Sequence, residues 1–83
     1  MKLISKYYSQ RGQVYEEMGI HQMAINDFTK SISYDTSTSA YEFGYRGDAN
    51  RLMGNYSAAV KDFDQAIELN PEESWFYYRR GWV

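Results

Sequence analysis

The chain has 83 residues, of which 43% are hydrophobic and 24% charged, so it allows one small domain and its composition argues against disorder. Nine Lys and Arg side chains against eleven Asp and Glu leave a net charge of −2, which gives no general attraction to nucleic acids or anionic membranes. The sequence has no Cys and one His, which excludes disulfides and thiol catalysis and disfavours a zinc site. We therefore expect no cofactor, no metal, no nucleic-acid partner and no membrane partner.

Neither a membrane-spanning segment nor a secretion signal is predicted. No apolar run is long enough to cross a bilayer, and residues 1–5 lack the apolar stretch of a signal peptide. The compartment itself is not encoded in these features, so the cytoplasm is only the default expectation.

The sequence repeats itself after 35 residues, and the matches extend over the whole unit. The residues that coincide are Arg11-Gly12 with Arg46-Gly47, Met18-Gly19 with Met53-Gly54, Ala24 with Ala59, Asp27-Phe28 with Asp62-Phe63, and Ile32 with Ile67. A third copy begins 34 residues later, where Arg80-Gly81 matches Arg46-Gly47 and Tyr77 matches Phe43. The chain is therefore expected to contain two similar structural units and the start of a third.

Apolar residues within each unit follow the helical period. Residues Ala24, Phe28 and Ile32 fall on one helix face, and the second unit repeats this pattern. Gly19 and Gly54 separate two helical segments, since glycine readily adopts the positive φ that ends a helix. Asn55 is expected to cap the next helix, and Pro71 to end the second unit. The spacing predicts helices over residues 3–18, 22–34, 39–53, 56–69 and 73–83.

Two stretches of the sequence resemble the tetratricopeptide repeat (TPR) family. They are Gly12-x2-Tyr15…Gly19…Ala24-x3-Phe28 and Gly47…Gly54-Asn55-Tyr56…Ala59-x3-Phe63…Ala66…Pro71. The resemblance implies an all-α fold, an α-α superhelix (TPR solenoid) of about two and a half helix-turn-helix repeats. We predict an extension of the first helix over residues 1–4, one repeat over 5–39, a second over 40–73, and the first helix of an incomplete third over 74–83.

Two repeated features predict contacts between the helices of a unit. Arg11 and Asp27 have the same separation as Arg46 and Asp62. The arginines could bind an anion, but an ion pair between the two helices is favoured because both partners recur together. The repeated glycine after each arginine is expected to let the paired helices approach closely.

No group of residues has the spacing of an active site. His21 lies in a turn, where a solvated side chain is expected, and no nucleophile recurs with it. The neighbouring carboxylates Asp62 and Asp64 point to different helix faces. We therefore expect no enzymatic activity.

The resemblance implies a concave groove, lined by the first helix of each unit, that binds a partner peptide. By position the groove would present Lys6, Ser9, Gln13 and Glu16, then Tyr41, Tyr45, Asp48 and Arg51, then Trp75, Tyr78, Arg79 and Trp82. The candidate peptide-binding residues are Gln13, Tyr41, Tyr45, Asp48, Arg51, Trp75, Tyr78 and Arg79. Their rings are either exposed for binding or used in helix packing, the role expected for Tyr8, Tyr15, Phe43 and Tyr77.

One TPR subclass holds the C-terminal carboxylate of a partner with a clamp of Lys, Asn and Arg. Its positions correspond here to Ser9, Gln13, Tyr45, Trp75 and Arg79, and only Arg79 matches. The resemblance therefore disfavours a receptor for a chaperone tail.

The last predicted helix is rich in aromatic residues and lacks a partner helix. Phe76 and Trp82 are expected to be exposed there and to support self-association, since exposed apolar patches commonly mark interfaces. The chain would then be either a piece of a longer repeat protein or a subunit whose open end is covered by another copy. The leading hypothesis is a non-enzymatic scaffold that binds a protein or peptide partner; the alternative is a structural element that self-assembles into a homo-oligomer.

Overall fold

A computed structural model describes residues 2–83 of the protein as five α-helices and one short 3₁₀ turn. The helices are α1 (Lys2–Glu17), α2 (His21–Tyr34), α3 (Ala40–Leu52), α4 (Tyr56–Leu69) and α5 (Ser74–Arg80), and the turn is Thr36–Thr38. The predicted all-α fold is confirmed, and the first four helices agree with their predicted ranges to within a residue at each end. Helix α5 is shorter than predicted, since it ends at Arg80.

The helices form two packed pairs and a single additional helix. Helix α1 packs mainly against α2, and α3 packs mainly against α4; contacts of α2 with α3 and of α4 with α5 join these units. Each unit therefore buries its apolar side against the next one, as expected for a repeat protein.

The turn within each pair depends on a glycine. Gly19 and Gly54 have φ values of +75° and +81°, as predicted. Directly after them, the backbone N–H groups of Ile20 and Asn55 donate to carbonyls five residues earlier, at 2.9 and 2.8 Å. The prediction that Asn55 caps α4 with its side chain is wrong: its Nδ2 lies 3.3 Å from Asn50 Oδ1 instead, and no side-chain cap forms at this helix end.

The paired helices approach closely at one glycine in each unit, as predicted. A Cβ atom placed on Gly12 would lie 2.8 Å from Cε1 of Phe28, and one placed on Gly47 would lie 3.2 Å from Cε1 of Phe63. Both phenylalanine side chains are fully buried. The ring of the second helix therefore packs directly on the backbone of the first.

The core beneath α5 contains a residue that was expected to be exposed. Phe76 is fully buried in a cluster that also contains Ile32, Ala40, Phe43 and Ala66. The prediction of an exposed Phe76 is wrong, because the ring packs over Gly44, where a Cβ atom would lie 2.5 Å away. Phe76 is thus a core residue of the monomer and not a surface residue available for self-association.

The other packing predictions for aromatic residues have mixed outcomes. Phe43 is buried, and Tyr8 and Tyr15 are half-buried, as expected for residues between helices. Tyr77 is 43% exposed, and its hydroxyl donates to the carbonyl of Pro71 at 3.1 Å. The prediction that Tyr77 packs between helices is wrong for the described residues.

The two predicted ion pairs are present, and each is bidentate. In the first unit Nε and Nη2 of Arg11 donate to the two carboxylate oxygens of Asp27 at 2.8 and 2.9 Å. In the second, Arg46 makes the same contacts with Asp62 at 3.0 and 2.7 Å. The carboxylates are nearly inaccessible, with side-chain exposures of 5% and 7%. Each pair therefore joins the two helices of its unit, and the structural interpretation of these arginines is confirmed.

The burial of Asp62 predicts a large loss of stability on its removal. Its carboxylate also accepts a hydrogen bond from Asn50 at 3.1 Å, so Asp62→Asn removes the charge that Arg46 and Asn50 both contact. We expect the free energy of unfolding, measured by urea denaturation, to fall by about 3 kcal/mol.

A matched control lies two residues along the same helix. Asp64 pairs with Arg80 at 2.8 Å, but its side chain is 55% exposed. Asp64→Asn should therefore change the free energy of unfolding by less than about 1 kcal/mol. Equal losses for the two variants would contradict the structural role of the buried pair.

Candidate peptide-binding face

Helices α1 and α3, the first helices of the two pairs, lie side by side with α5 on one surface, which we call the first-helix face. Ser9 on α1 donates a hydrogen bond to Oε2 of Glu42 on α3 at 2.6 Å. Tyr45 on α3 contacts Trp75 on α5, with 5.7 Å between ring centroids. Residues far apart in the sequence therefore meet here, and most of the predicted groove residues are among them.

Three stacked rings form a row along this face. The ring centroids of Tyr41 and Tyr45 are 6.3 Å apart with an interplanar angle of 30°, and those of Tyr45 and Trp75 are 5.7 Å apart with an angle of 21°. Tyr41 is 40% exposed, whereas Tyr45 and Trp75 are half-buried. The rings thus pack on one another and still present part of their surface to solvent, which combines the two roles that the sequence left open.

A cavity of about 250 Å³ lies beside this row, between α1 and α3. Its lining residues are Gln13, Glu16, Glu17, Phe28, Tyr45 and Asp48. The rings of Phe28 and Tyr45 contact each other with centroids 5.6 Å apart and provide the apolar part of the lining. The remaining lining residues are polar or acidic, so an entering side chain would meet both an aromatic surface and carboxylates.

The charges at the other end of the face are paired within the chain. Asp48 accepts hydrogen bonds from Arg51, at 3.0 Å, and from Arg79. Both guanidinium groups also lie 5.0 Å from the ring centroid of Trp82, a distance suited to cation–π interaction. Arg79 is therefore held by a carboxylate and an indole, and the one residue that matches the carboxylate clamp is already engaged.

Glu73 fixes one end of the ring row. The hydroxyl of Tyr41 donates to Oε2 of Glu73 at 2.7 Å. This hydrogen bond, followed by the charge of Glu73, raises the pKa of Tyr41 above its ordinary value. Burial raises the pKa of Tyr45 as well, with a further contribution from the nearby Glu42. Both tyrosines are therefore neutral hydrogen-bonding groups over the whole physiological pH range.

The remaining predicted residues lie at the edges of the face. Gln13 is half-buried, and its Nε2 is 3.4 Å from the hydroxyl of Ser9. Tyr78 is 64% exposed and makes an edge contact with Trp82, which is 51% exposed.

His21, which was expected to be solvated, is only partly exposed. Its side chain is 27% exposed, and its Nδ1 lies 2.8 Å from Oε2 of Glu16.

Sequence reasoning missed two carboxylates and one ring of this face. Glu42 lies one helical turn before Tyr45 in the sequence, so helical spacing could have placed it on the same surface. Glu73 lies at the N-cap of α5, a position that follows the unit boundary and carries no periodic signal. Phe28 belongs to the second helix of its unit, packs on Gly12 and also lines the cavity.

Within residues 2–83, no three His, Asp or Glu side chains are placed to hold a metal ion. None of the helices described for this stretch has the length and apolar character needed to cross a bilayer.

Models of the tetratricopeptide repeat match residues 5–38 and 40–73. The chain belongs to the tetratricopeptide repeat family. The assignment of residues 74–83 to a third repeat stays a prediction.

Solved structures of TPR proteins have the same fold. The first TPR of Spaghetti (RPAP3), solved with the HSP90 peptide SRMEEVD bound, superposes with a TM-score of 0.93 at 23% identity, over 98% of this chain and 64% of that one. The crystal structure of MamA matches with a TM-score of 0.88 at 28% identity, over 93% of this chain and 44% of that one. This chain thus spans less than two thirds of either structure. The predicted TPR superhelix is confirmed by these matches.

The contact between Tyr41 and Glu73 predicts a pH dependence of stability. Because the pKa of Tyr41 is raised in the folded state, the neutral hydroxyl is favoured by folding. The stabilisation is fully present below the ordinary tyrosine pKa of about 10 and is lost as the pH rises through the raised value.

Urea denaturation between pH 8 and pH 11 measures this effect as a difference between wild type and Tyr41→Phe. We expect the wild type to lose its advantage over the variant above about pH 10. Tyr56→Phe, at an exposed tyrosine on α4, controls for the general loss of a hydroxyl. A stability difference between wild type and Tyr41→Phe that does not change with pH would contradict the role of Glu73.

Proposed function

We propose that this chain is a non-enzymatic protein-interaction scaffold that binds a peptide or helix of a partner protein on its first-helix face. The row formed by Tyr41, Tyr45 and Trp75 is the observation that carries the proposal. Rings that are fixed by stacking lose little conformational freedom on binding and offer a large contact area. The adjacent cavity offers space for one side chain of the partner.

The chemistry of the face favours aromatic and apolar contacts over recognition by charge. Asp48 forms ion pairs with both Arg51 and Arg79 within the chain, so a ligand that pairs with any of the three competes with an existing contact. The free carboxylate near the cavity is that of Glu17, which is exposed. An uncharged or basic side chain therefore suits the cavity better than an acidic one.

The kind of peptide bound in the Spaghetti structure does not suit the corresponding positions of this chain. The clamp positions Ser9, Gln13, Tyr45 and Trp75 carry residues that do not fit a carboxylate clamp, and Ser9 is hydrogen-bonded to Glu42. Arg79, the only match, contacts Asp48. We propose a ligand with aromatic or apolar side chains instead of an acidic C-terminal tail.

Selection from a random peptide library displayed on phage tests this proposal. We expect selected peptides to be rich in apolar and aromatic residues and to bind Tyr45→Ala at least about ten-fold more weakly, since aromatic residues at binding sites commonly contribute more than 1 kcal/mol. Tyr56→Ala is the matched control, because Tyr56 is an exposed tyrosine on α4, outside the face. Peptides that end in acidic residues, or that bind Tyr45→Ala as well as wild type, would contradict the proposal.

Self-assembly is the second candidate function, and the exposed pair of Tyr78 and Trp82 favours it. These rings lie at the end of the helix stack and are 64% and 51% exposed. Their ring centroids are 5.0 Å apart. A second copy of the chain would cover them. Phe76 has no part in this hypothesis, because it is fully buried.

Sedimentation at micromolar concentration distinguishes assembly from a monomeric scaffold. If assembly is the function, the wild type sediments as an oligomer and Trp82→Ala as a folded monomer. Phe76→Ala should instead lower the free energy of unfolding by about 3–5 kcal/mol through the cavity it leaves. A well-folded wild-type monomer would rule out self-assembly at that concentration and leave the scaffold proposal.

A further inference from the structure

The C-terminal end of α1 carries acidic residues where the second unit has a basic one. Glu16 and Glu17 are the last two residues of the helix, and its last turn contains no basic side chain. Negative charge is disfavoured at this end of a helix, because the negative end of the macrodipole lies there. With the 35-residue offset, position 16 corresponds to Arg51, a basic residue in the last turn of α3. The first unit therefore reverses the charge that suits this position.

The second unit contains its own cation for the carboxylate on the first-helix face, and the first unit does not. Arg51 pairs with Asp48 at 3.0 Å. The corresponding residues of the first unit are Gln13 and Glu16, so the place of the arginine is taken by a second acceptor. A cation at this position of the first unit must therefore come from another molecule.

The two carboxylates at the end of α1 are only partly satisfied within the chain. Oε2 of Glu16 lies 2.8 Å from Nδ1 of His21, whereas its Oε1 is buried and has no hydrogen-bond partner within residues 2–83. Buried acceptors without a partner are uncommon in folded proteins. Glu17 is exposed and forms no ion pair in the described part of the chain. These two residues are the exception to the pairing of charges around Asp48.

Both carboxylates line the cavity of about 250 Å³ beside the ring row. The apolar part of its lining is formed by the rings of Phe28 and Tyr45, whose centroids are 5.6 Å apart. Lysine and arginine combine an apolar stem, which packs on such rings, with a charged head group that seeks carboxylates. The cavity thus offers a surface for each part of a basic side chain.

We propose that this cavity binds a lysine or arginine side chain of the partner peptide, with its stem on the rings and its head group beside Glu16 and Glu17. The inference rests on the proposed function, because it names the side chain that the partner places in the cavity of the first-helix face. The head group offsets the negative charge at the end of α1 and supplies a donor for Oε1 of Glu16. The partner is thereby specified as an apolar or aromatic segment with one basic residue.

Other occupants suit the cavity less well. An apolar side chain would leave the carboxylates without a counter-charge, and an acidic one would be repelled. Within residues 2–83 no three His, Asp or Glu side chains are placed to hold a metal ion. The nearby basic residues Arg51 and Arg79 already contact Asp48 and the ring of Trp82. A basic side chain from a partner competes with none of these contacts.

The probe is a peptide selected on the wild-type chain from a random library displayed on phage. We expect the selected peptides to share a lysine or arginine at one recurring position. The strongest peptide is then synthesised with that residue replaced by its neutral analogue, norleucine for lysine or citrulline for arginine. Calorimetry should show about ten-fold weaker binding of the neutral form to wild type, since a partly desolvated charge contact is lost.

The matching change in the chain is Glu16→Gln combined with Glu17→Gln, which removes negative charge from a helix C-terminus and so should not unfold the protein. It should weaken the parent peptide about ten-fold and leave the neutral form unaffected, because the cation and the carboxylates act as one interaction. Asp64→Asn combined with Glu68→Gln is the matched control, since it removes two carboxylates from exposed positions of α4. The control should bind both peptides as the wild type does.

The outcomes separate this inference from the proposed function. Peptides that bind Tyr45→Ala more weakly but lack a basic residue would overturn the inference and leave the scaffold proposal standing. Equal binding of the parent and neutral peptides to wild type would also overturn it. So would equal losses in the two double variants, which would indicate general attraction by the net charge. If no peptide is selected, or if all of them bind Tyr45→Ala as well as wild type, the proposed function fails and the inference fails with it.

Discussion

The close approach of paired helices at Gly12 and Gly47 is the contact on which the rest of the fold depends. A phenylalanine ring of the second helix packs close to where a Cβ atom of the first would be, at 2.8 Å from the Gly12 position and 3.2 Å from the Gly47 position, both tighter than ordinary van der Waals contact. The neighbouring ion pair then fixes the rotation of one helix against the other, because a bidentate guanidinium contact has a preferred plane as well as a distance. Together the two contacts determine the position of each first helix within its unit.

The position of the first helices decides what surface is left for binding. Since α2 and α4 cover one side of the stack, the opposite sides of α1, α3 and α5 remain available and carry Tyr41, Tyr45 and Trp75. Their charged neighbours are paired within the chain, most clearly around Asp48. The binding proposed for this face would therefore depend on ring contacts and shape, while its charges hold its own residues in place.

Much of the fold could be predicted from the sequence, because its dominant contacts repeat. The Arg–Asp pair and the Gly–Phe pair each occur twice, 35 residues apart, and the second occurrence supports the same inter-helix contact as the first. The helix ends at Gly19 and Gly54 were predictable for a local reason, the positive φ that glycine tolerates. Features that recur at a fixed spacing, or that depend on one residue type, are therefore visible without coordinates.

Features that depend on a single copy were not predictable in the same way. In the run from Trp75 to Tyr78 every residue is aromatic, so periodicity could not show that Phe76 is the one that enters the core. Gly44 was the available signal, since the first unit has Ser9 at that position and the missing side chain makes room for Phe76. At the candidate site, Glu73 had no signal, because its contact with Tyr41 depends on how α5 packs against the second unit.

Helix α5 belongs to two surfaces at once, and its one buried ring connects them. Trp75 and Arg79 lie on the first-helix face, whereas Tyr77 and Arg80 lie on another side of the helix, where Arg80 pairs with Asp64, and Phe76 holds the helix between these two surfaces. With seven residues, α5 is too short to be a stable helix by itself. Its order therefore comes from packing on α4 and Gly44, and a change that loosens Phe76 must disturb both surfaces together.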